Sequence, residues 1–161
     1  MQHNRTFHDE PYTSRKLCIE VVPKTLWHKN LHTNLDRKEW DRVRRSIYRK
    51  YDYTCSVCGN RNTTMHAHEV WAYDDEKQIQ TLVDIVCLCS LCDRVKHIGL
   101  TQILAVQGKV SWRETVEHYC RINQCDEATF NADHRMALHV HAIRSKFEWQ
   151  QEIGDYSRFL V

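Results

Sequence analysis

The chain has 161 residues, with 23 Lys and Arg against 21 Asp and Glu and a formal net charge of +2. That length suits one domain with a real core, and so mild a charge does not by itself announce a nucleic-acid partner. No run is apolar and long enough to span a membrane, and the first ten residues, MQHNRTFHDE, lack the apolar stretch of a secretory signal. The expected compartment is therefore the cytoplasm, where thiols stay reduced and paired cysteines favour metal over disulfide.

In chain order, residues 1–16 are polar and aperiodic and read as a loose N-terminal arm. Residues 17–161 read as a single domain, with a core at 53–108 and a helical C-terminal part at 109–161. Leu17-Cys18-Ile19-Glu20-Val21-Val22 predicts a short strand stopped by Pro23. Thr25 to Leu35 reads as an irregular connection carrying Trp27. Asp36 followed by Glu39 predicts a helix start, and Trp40, Val43, Ile47 and Tyr51 give that helix an apolar face. Arg42, Arg45 and Arg49 form a stripe on another face. A basic stripe is commonly a solvated face; because this one leads into the Cys55 turn, it is also a candidate for phosphate contact.

Thr64 to Tyr73 and Ile79 to Leu88 predict two strands around an Asp74-Asp75-Glu76 turn, with His66 and His68 on one face and Ala67 on the other. A helix should follow Cys92, run through Val95, Ile98, Ile103 and Leu104, and stop at Gly108. Ser111 and Glu114 mark another helix start. A last helix is expected from Glu127 to Trp149, with Met136, Val140, Ile143 and Phe147 on one face. His134, His139 and His141 on that helix read as surface or packing residues. The fold class is α+β.

The chemistry concentrates between Tyr53 and Gly99. Cys55 and Cys58 form one Cys-x2-Cys pair, Cys89 and Cys92 another, with thirty residues between the pairs. Two such turns can aim four thiolates at one Zn²⁺. Cys18, Cys87, Cys120 and Cys125 read as buried small apolar residues. His66-Ala67-His68-Glu69 lies between the pairs, and Asp93 and His97 follow the second. Asp93 and His97 stand four apart, one turn apart on a helix face, and His68 can approach that face from the strand. Such a mixed O/N set suits Mg²⁺, Mn²⁺ or Zn²⁺.

These residues resemble a family. Cys55-x2-Cys58, His68-Glu69-Val70-Trp71, Leu88-Cys89-x2-Cys92 and Val95-Lys96-His97-Ile98-Gly99 look like the zinc-containing HNH endonucleases, and within them a bacterial and phage subgroup with a His-Glu-Ile/Val-Trp motif. Val22-Pro23, Trp27, Trp40, Arg44, Tyr48 and Tyr53, and later Arg144-Ser145 and Trp149, look similar to that subgroup as well. The resemblance implies a small ββα-metal core closed by zinc on Cys55, Cys58, Cys89 and Cys92, with flanking helices. It implies metal-dependent hydrolysis of phosphodiester bonds in DNA, as an endonuclease or nickase, in the cytoplasm of a bacterial or phage-infected cell. His68, Asp93 and His97 would hold a catalytic Mg²⁺ or Mn²⁺, and His68 or Glu69 would act as general base, with His66 a third option. Arg42, Arg45 and Arg49 would touch nucleic acid. The chain departs from the pattern where Asp93 replaces the usual His, where the name-giving Asn falls near Asp84, and where Ala67 precedes His68. Those departures keep a second reading open: a catalytically degenerate zinc module that binds DNA or RNA, or blocks a protein partner.

Overall fold

The computed structural model describes Phe7 and residues 10–159. It is an α+β fold in which a three-stranded sheet, in the order β1-β2-β3, lies between helices. Strands β1 (Met65–Asp74) and β2 (Ile79–Cys89) form an antiparallel hairpin whose register runs from Met65↔Cys89 to Asp74↔Ile79. The register shifts once, between Val70 and Trp71, so a bulge separates the two ends of the hairpin. The turn is held by Asp74, whose Oδ1 accepts from the N–H groups of Glu76 and Lys77 at 3.1 and 3.0 Å. A short strand β3 (Gln150–Glu152), with no counterpart in the sequence reading, pairs in parallel with Ile79–Thr81.

The period of two divides the hairpin into two faces. Met65 and Ala67 on β1, with Leu82, Ile85 and Cys87 on β2, pack against helix α2 (Arg37–Lys50) through Val43 and Ile47. That helix begins as expected, with Asp36 Oδ1 accepting from the Glu39 N–H at 2.9 Å. The other face carries His66 and His68 and meets helix α3 (Ser90–Lys96), which leads directly out of β2. Helices α5 (Trp112–Asn123) and α6 (Glu127–Arg144) then cover α3, burying Val95, Tyr119, Phe130, Ala137 and Val140 in one cluster. Ser111 Oγ accepts from Glu114 N–H at 3.2 Å, so the expected start of α5 is present.

Four expectations are corrected. Leu17–Val22 is not a strand: Leu17 and Ile19 are buried, but the Leu17 backbone bonds the Asn123 side chain in both directions, at 2.9 Å each, and Glu20 N–H reaches Lys96 O at 3.3 Å. Apolar residues hold the segment inside, and helical side chains and backbone take the hydrogen bonds a sheet edge would have supplied. The helix after β2 breaks at His97 (φ −97°, ψ 46°) into α3 and α4 (Ile98–Val106), ahead of Gly99; its end at Gly108 (φ +70°) is as expected. Helix α6 stops at Arg144 rather than Trp149, because the chain turns back there. Trp149 Nε1–H donates to Arg144 O at 2.8 Å, and the buried guanidinium grips Asp75 at 2.7 and 2.8 Å. The buried face of α6 is accordingly Phe130, Asp133, Ala137, Val140 and Arg144, while Phe147 lies exposed beyond it. Thr25–Leu35, read as irregular, contains a one-turn helix α1 (Leu31–Asn34) closed by a reciprocal Asn30–Thr33 cap.

Of the expected arm at 1–16, Phe7 and residues 10–16 are described. Tyr12 is buried, and Arg15 Nε pairs with Asp133 at 2.8 Å, so this stretch lies on α6. No helix among the described residues is long and apolar enough to cross a membrane.

Candidate metal centres

Among the described residues, two groups of side chains converge closely enough to share an ion. The first is Cys55, Cys58, Cys89 and Cys92, whose sulfurs all lie within 4.8 Å of one another. A tetrahedral zinc with Zn–S bonds of about 2.3 Å sets its sulfurs about 3.8 Å apart; the Cys58–Cys89 pair stands at 3.5 Å. Each knuckle is built locally. In the first, Gly59 N–H returns to Cys55 O at 2.9 Å and Cys55 N–H reaches Asn60 O at 3.0 Å, which requires the positive φ of Gly59 (+76°). Ser56 N–H then ties this loop to Cys87 O at 2.8 Å, fixing it beside β2. In the second, Cys89 caps α3, its sulfur accepting from Cys92 N–H at 3.4 Å.

Contacts with Cys89 and Cys92 pull the Cys55 thiol far down, and contacts with Cys55 and Cys89 push Cys92 far up. Four sulfurs so close together, three of them buried, cannot all ionise without positive charge among them. The donor set therefore fits zinc, with no position left open. A neighbour that the sequence did not disclose supports it. Arg121 Nη2 donates to His118 Nδ1 at 2.8 Å. A guanidinium only donates, so the imidazole proton sits on Nε2 and points at Cys92 Sγ, 3.1 Å away. His118 is buried, and burial together with Arg121 holds its pKa down, in keeping with a neutral ring.

The second group is His68, Asp93 and His97. His68 stands on the inner face of β1, and Asp93 and His97 stand on and just after α3, so the three meet where strand and helix cross. Asp93 Oδ1 lies 3.4 Å from His68 Nδ1 and 3.6 Å from His97 Nε2, and the two imidazole rings are 4.9 Å apart. His68 is buried, with 3% of its side chain exposed, whereas 48% of His97 is exposed and opens the group to solvent. His66 adjoins it at the rim, its Nδ1 3.8 Å from Asp93 Oδ2.

Electrostatics follow from this crowding. Burial disfavours the charged form of His68, but Glu20 and Asp93 outweigh it and raise its pKa to about 9. Asp93 is pushed up by burial, yet the close approach of His68 and the charges of the surrounding histidines leave it below the usual carboxylate range. Partial desolvation by the surrounding protein and the His68 charge pull His97 down despite Asp93. His68 Nδ1 is buried and has no hydrogen-bond partner. An orphaned imidazole nitrogen facing a carboxylate and a second imidazole is the arrangement that a divalent ion satisfies, by displacing the proton the nitrogen would otherwise carry.

Glu69, expected as base or ligand-orienter, is not in this group. Its Oε1 accepts from Leu31 N–H at 2.9 Å, fastening α1 to β1. The alternation along the strand turns it away from His68. Burial there raises its pKa to about 7. Arg42, Arg45 and Arg49 are exposed on the outer side of α2, the helix that covers the opposite face of the hairpin from His68. The stripe and the histidine group therefore look in different directions.

Two residues at the site were missed. Glu20 Oε2 accepts from His68 Nε2 at 2.7 Å, and Lys96 Nζ donates to Glu20 Oε1 at 2.9 Å and to Cys18 Sγ at 3.0 Å. Burial raises Glu20, but His68 and Lys96 bring it down to about 2. The available signal was an acidic residue inside an apolar run, Leu17 to Val22, which calls for a buried partner. No family model, no curated protein and no solved structure matches the chain.

Proposed function

We propose that the protein is a metal-dependent, HNH-like nuclease that hydrolyses phosphodiester bonds in DNA, as an endonuclease or nickase. The observation that carries this reading is the buried, unpartnered His68 Nδ1 meeting Asp93 and His97 on a hairpin-and-helix unit anchored by four cysteines. In this reading Cys55, Cys58, Cys89 and Cys92 hold a structural zinc, while His68, Asp93 and His97 hold a catalytic divalent ion. With three protein donors, the second site keeps positions for water and substrate, unlike the four-thiol site. The ion supplies positive charge at the phosphate and leaving oxygen. Two imidazoles and one carboxylate suit Mn²⁺ better than Mg²⁺, which prefers oxygen ligands.

The chain's own residues divide the remaining work. His68 is tied at Nε2 to Glu20 and would give Nδ1 to the ion, which suits a ligand more than a mobile base. His66 stands at the half-exposed rim, with Nε2 against Ser90 Oγ at 3.1 Å, while that hydroxyl lies 3.3 Å from Thr64 O. With the Ser90 hydroxyl donating to Thr64 O, the ring donates from Nε2 to Ser90, which leaves Nδ1, at the rim 3.8 Å from Asp93 Oδ2, as the nitrogen that can exchange a proton. His66 is then the imidazole placed to accept a proton from water. Arg42, Arg45 and Arg49 serve in this reading as a second, remote contact for DNA.

The test is supercoiled plasmid incubated with Mn²⁺, Mg²⁺ or Ni²⁺. Nicking that vanishes in His68→Ala and Asp93→Ala supports the reading; wild-type protein that never nicks with any of these ions overturns it. One observation favours the degenerate alternative. The charges at the site are matched internally, Glu20 with Lys96 and Asp93 with histidines. Binding of DNA or RNA without cleavage would select the nucleic-acid module, and capture of a protein with neither would select an inhibitor.

A further inference from the structure

We propose that Glu20, a residue outside the hairpin-and-helix unit, is the positioning residue of the histidine site: it fixes the ring and tautomer of His68 so that Nδ1 faces the ion. The inference rests on the reading of His68, Asp93 and His97 as a divalent-ion site.

Lys96 Nζ sits 2.9 Å from Glu20 Oε1, so the carboxylate is held ionised and can only accept hydrogen bonds. Its other oxygen lies 2.7 Å from His68 Nε2, so that nitrogen carries the proton. The remaining nitrogen, Nδ1, is buried without a hydrogen bond and points at Asp93 Oδ1, 3.4 Å away. A ring that donates one N–H to a carboxylate and offers its other nitrogen to a metal is oriented as metal-ligating histidines generally are. With 3% of the side chain exposed, water has little access to take over that role.

Glu20 is itself immobilised. Its own N–H reaches Lys96 O at 3.3 Å, and three residues earlier Leu17 is clipped to Asn123 through both backbone groups. Leu17 and Ile19 are buried in the same cluster as the four-cysteine unit. Segment 17–22 thus acts as a strap that carries one carboxylate to a fixed point, and Lys96, on the helix that also bears Asp93, receives it. The hairpin and α3 supply the ligands; the strap supplies their orientation.

The experiment is titration of zinc-loaded protein with Mn²⁺, following free Mn²⁺ by electron paramagnetic resonance. Wild type, Glu20→Ala, Glu20→Gln, Asp93→Ala and the double variant Glu20→Ala/Lys96→Met are compared. The double variant removes the unpaired buried lysine that Glu20→Ala would leave. Cobalt substituted at the cysteines reports folding independently through its thiolate absorption. The expected result is a loss of about 10- to 100-fold in Mn²⁺ affinity for Glu20→Ala and for the double variant, the usual range for such partners. Glu20→Gln, which keeps an acceptor for Nε2–H, should stay much closer to wild type, and the cobalt spectrum should be unchanged throughout. Glu20→Gln falling as far as Glu20→Ala would show that the charge matters and not the positioning, and would overturn the inference. So would wild-type affinity in both alanine variants while Asp93→Ala binds nothing, an outcome that leaves the metal site itself standing. Wild type that binds no Mn²⁺ removes the site, and the inference with it.

Discussion

The two candidate metal centres are close neighbours in the fold but are built on opposite plans. The cysteine centre comes from two tight turns that each aim two sulfurs at one point, and every donor is a thiol. The histidine centre takes one donor from β1, two from α3 and its edge, and its orientation from a strap more than forty residues upstream of His68. The first is closed and mostly buried; the second is open at His97. A closed site spends its metal on holding the chain together, and an open one leaves coordination positions for chemistry. Each can therefore be broken in its own way.

The largest effect is expected at the cysteines. Structural zinc binds such peptides with apparent energies of about 10–16 kcal/mol, comparable to the whole stability of a domain, about 5–15 kcal/mol. Cys58→Ser should lose the zinc seen by elemental analysis and unfold the hairpin-and-helix unit, read by circular dichroism. Chelator treatment of the wild type should do the same. A metal-free protein with an unchanged thermal transition would contradict the comparison at its root.

Next in size is Asp93, the carboxylate that lies against both histidines. Asp93→Ala should abolish Mn²⁺ binding and cut plasmid nicking by about 100-fold or more, the order expected when one charge-stabilising group is lost. The cysteine zinc and the fold should persist, because Asp93 lies outside that centre. Asp93→His keeps a donor but exchanges oxygen for nitrogen, so cleavage should survive with its preference moved towards Ni²⁺ or Zn²⁺. Equal Mn²⁺ and Ni²⁺ responses in wild type and Asp93→His would remove Asp93 from the ligand set.

A smaller effect is expected at His118, whose N–H points at the Cys92 sulfur as Glu20 points at His68. His118→Phe keeps the bulk and removes the donor. Zinc affinity should fall by about 10-fold, the low end for partners of this kind, measured by competition with a chromogenic chelator. Mn²⁺ affinity at the histidine site should not move. A change at both centres would mean that they are coupled and not merely adjacent.

The smallest effect is expected from Arg42→Ala, Arg45→Ala and Arg49→Ala combined. The stripe sits across the sheet from His68, so the nicking rate at saturating DNA should hold. The salt dependence of DNA binding should flatten by at most ~3 counterions. Stability should change by no more than about 0.5 kcal/mol, as for exposed positions generally. An unchanged salt slope would make α2 an ordinary solvated face.

The sequence by itself determined what short spacings control. The Cys-x2-Cys turns, the hairpin with His66 and His68 on one face, the caps at Asp36 and Ser111, and the one-turn separation of Asp93 and His97 are all local geometry, and all are present. Only the tertiary structure decided which remote groups meet them. Leu17–Val22 has the composition of a strand but found no free sheet edge, and so became the strap that delivers Glu20. Glu69 and His68 are neighbours in the chain, but strand alternation separated them, sending one to Leu31 and the other to Asp93. Helix α6 was cut short where Arg144 met Asp75 across the fold. A spacing of three or four residues is set by backbone geometry alone; an encounter across forty or seventy residues depends on how every buried face between them packs, and no single segment carries that information.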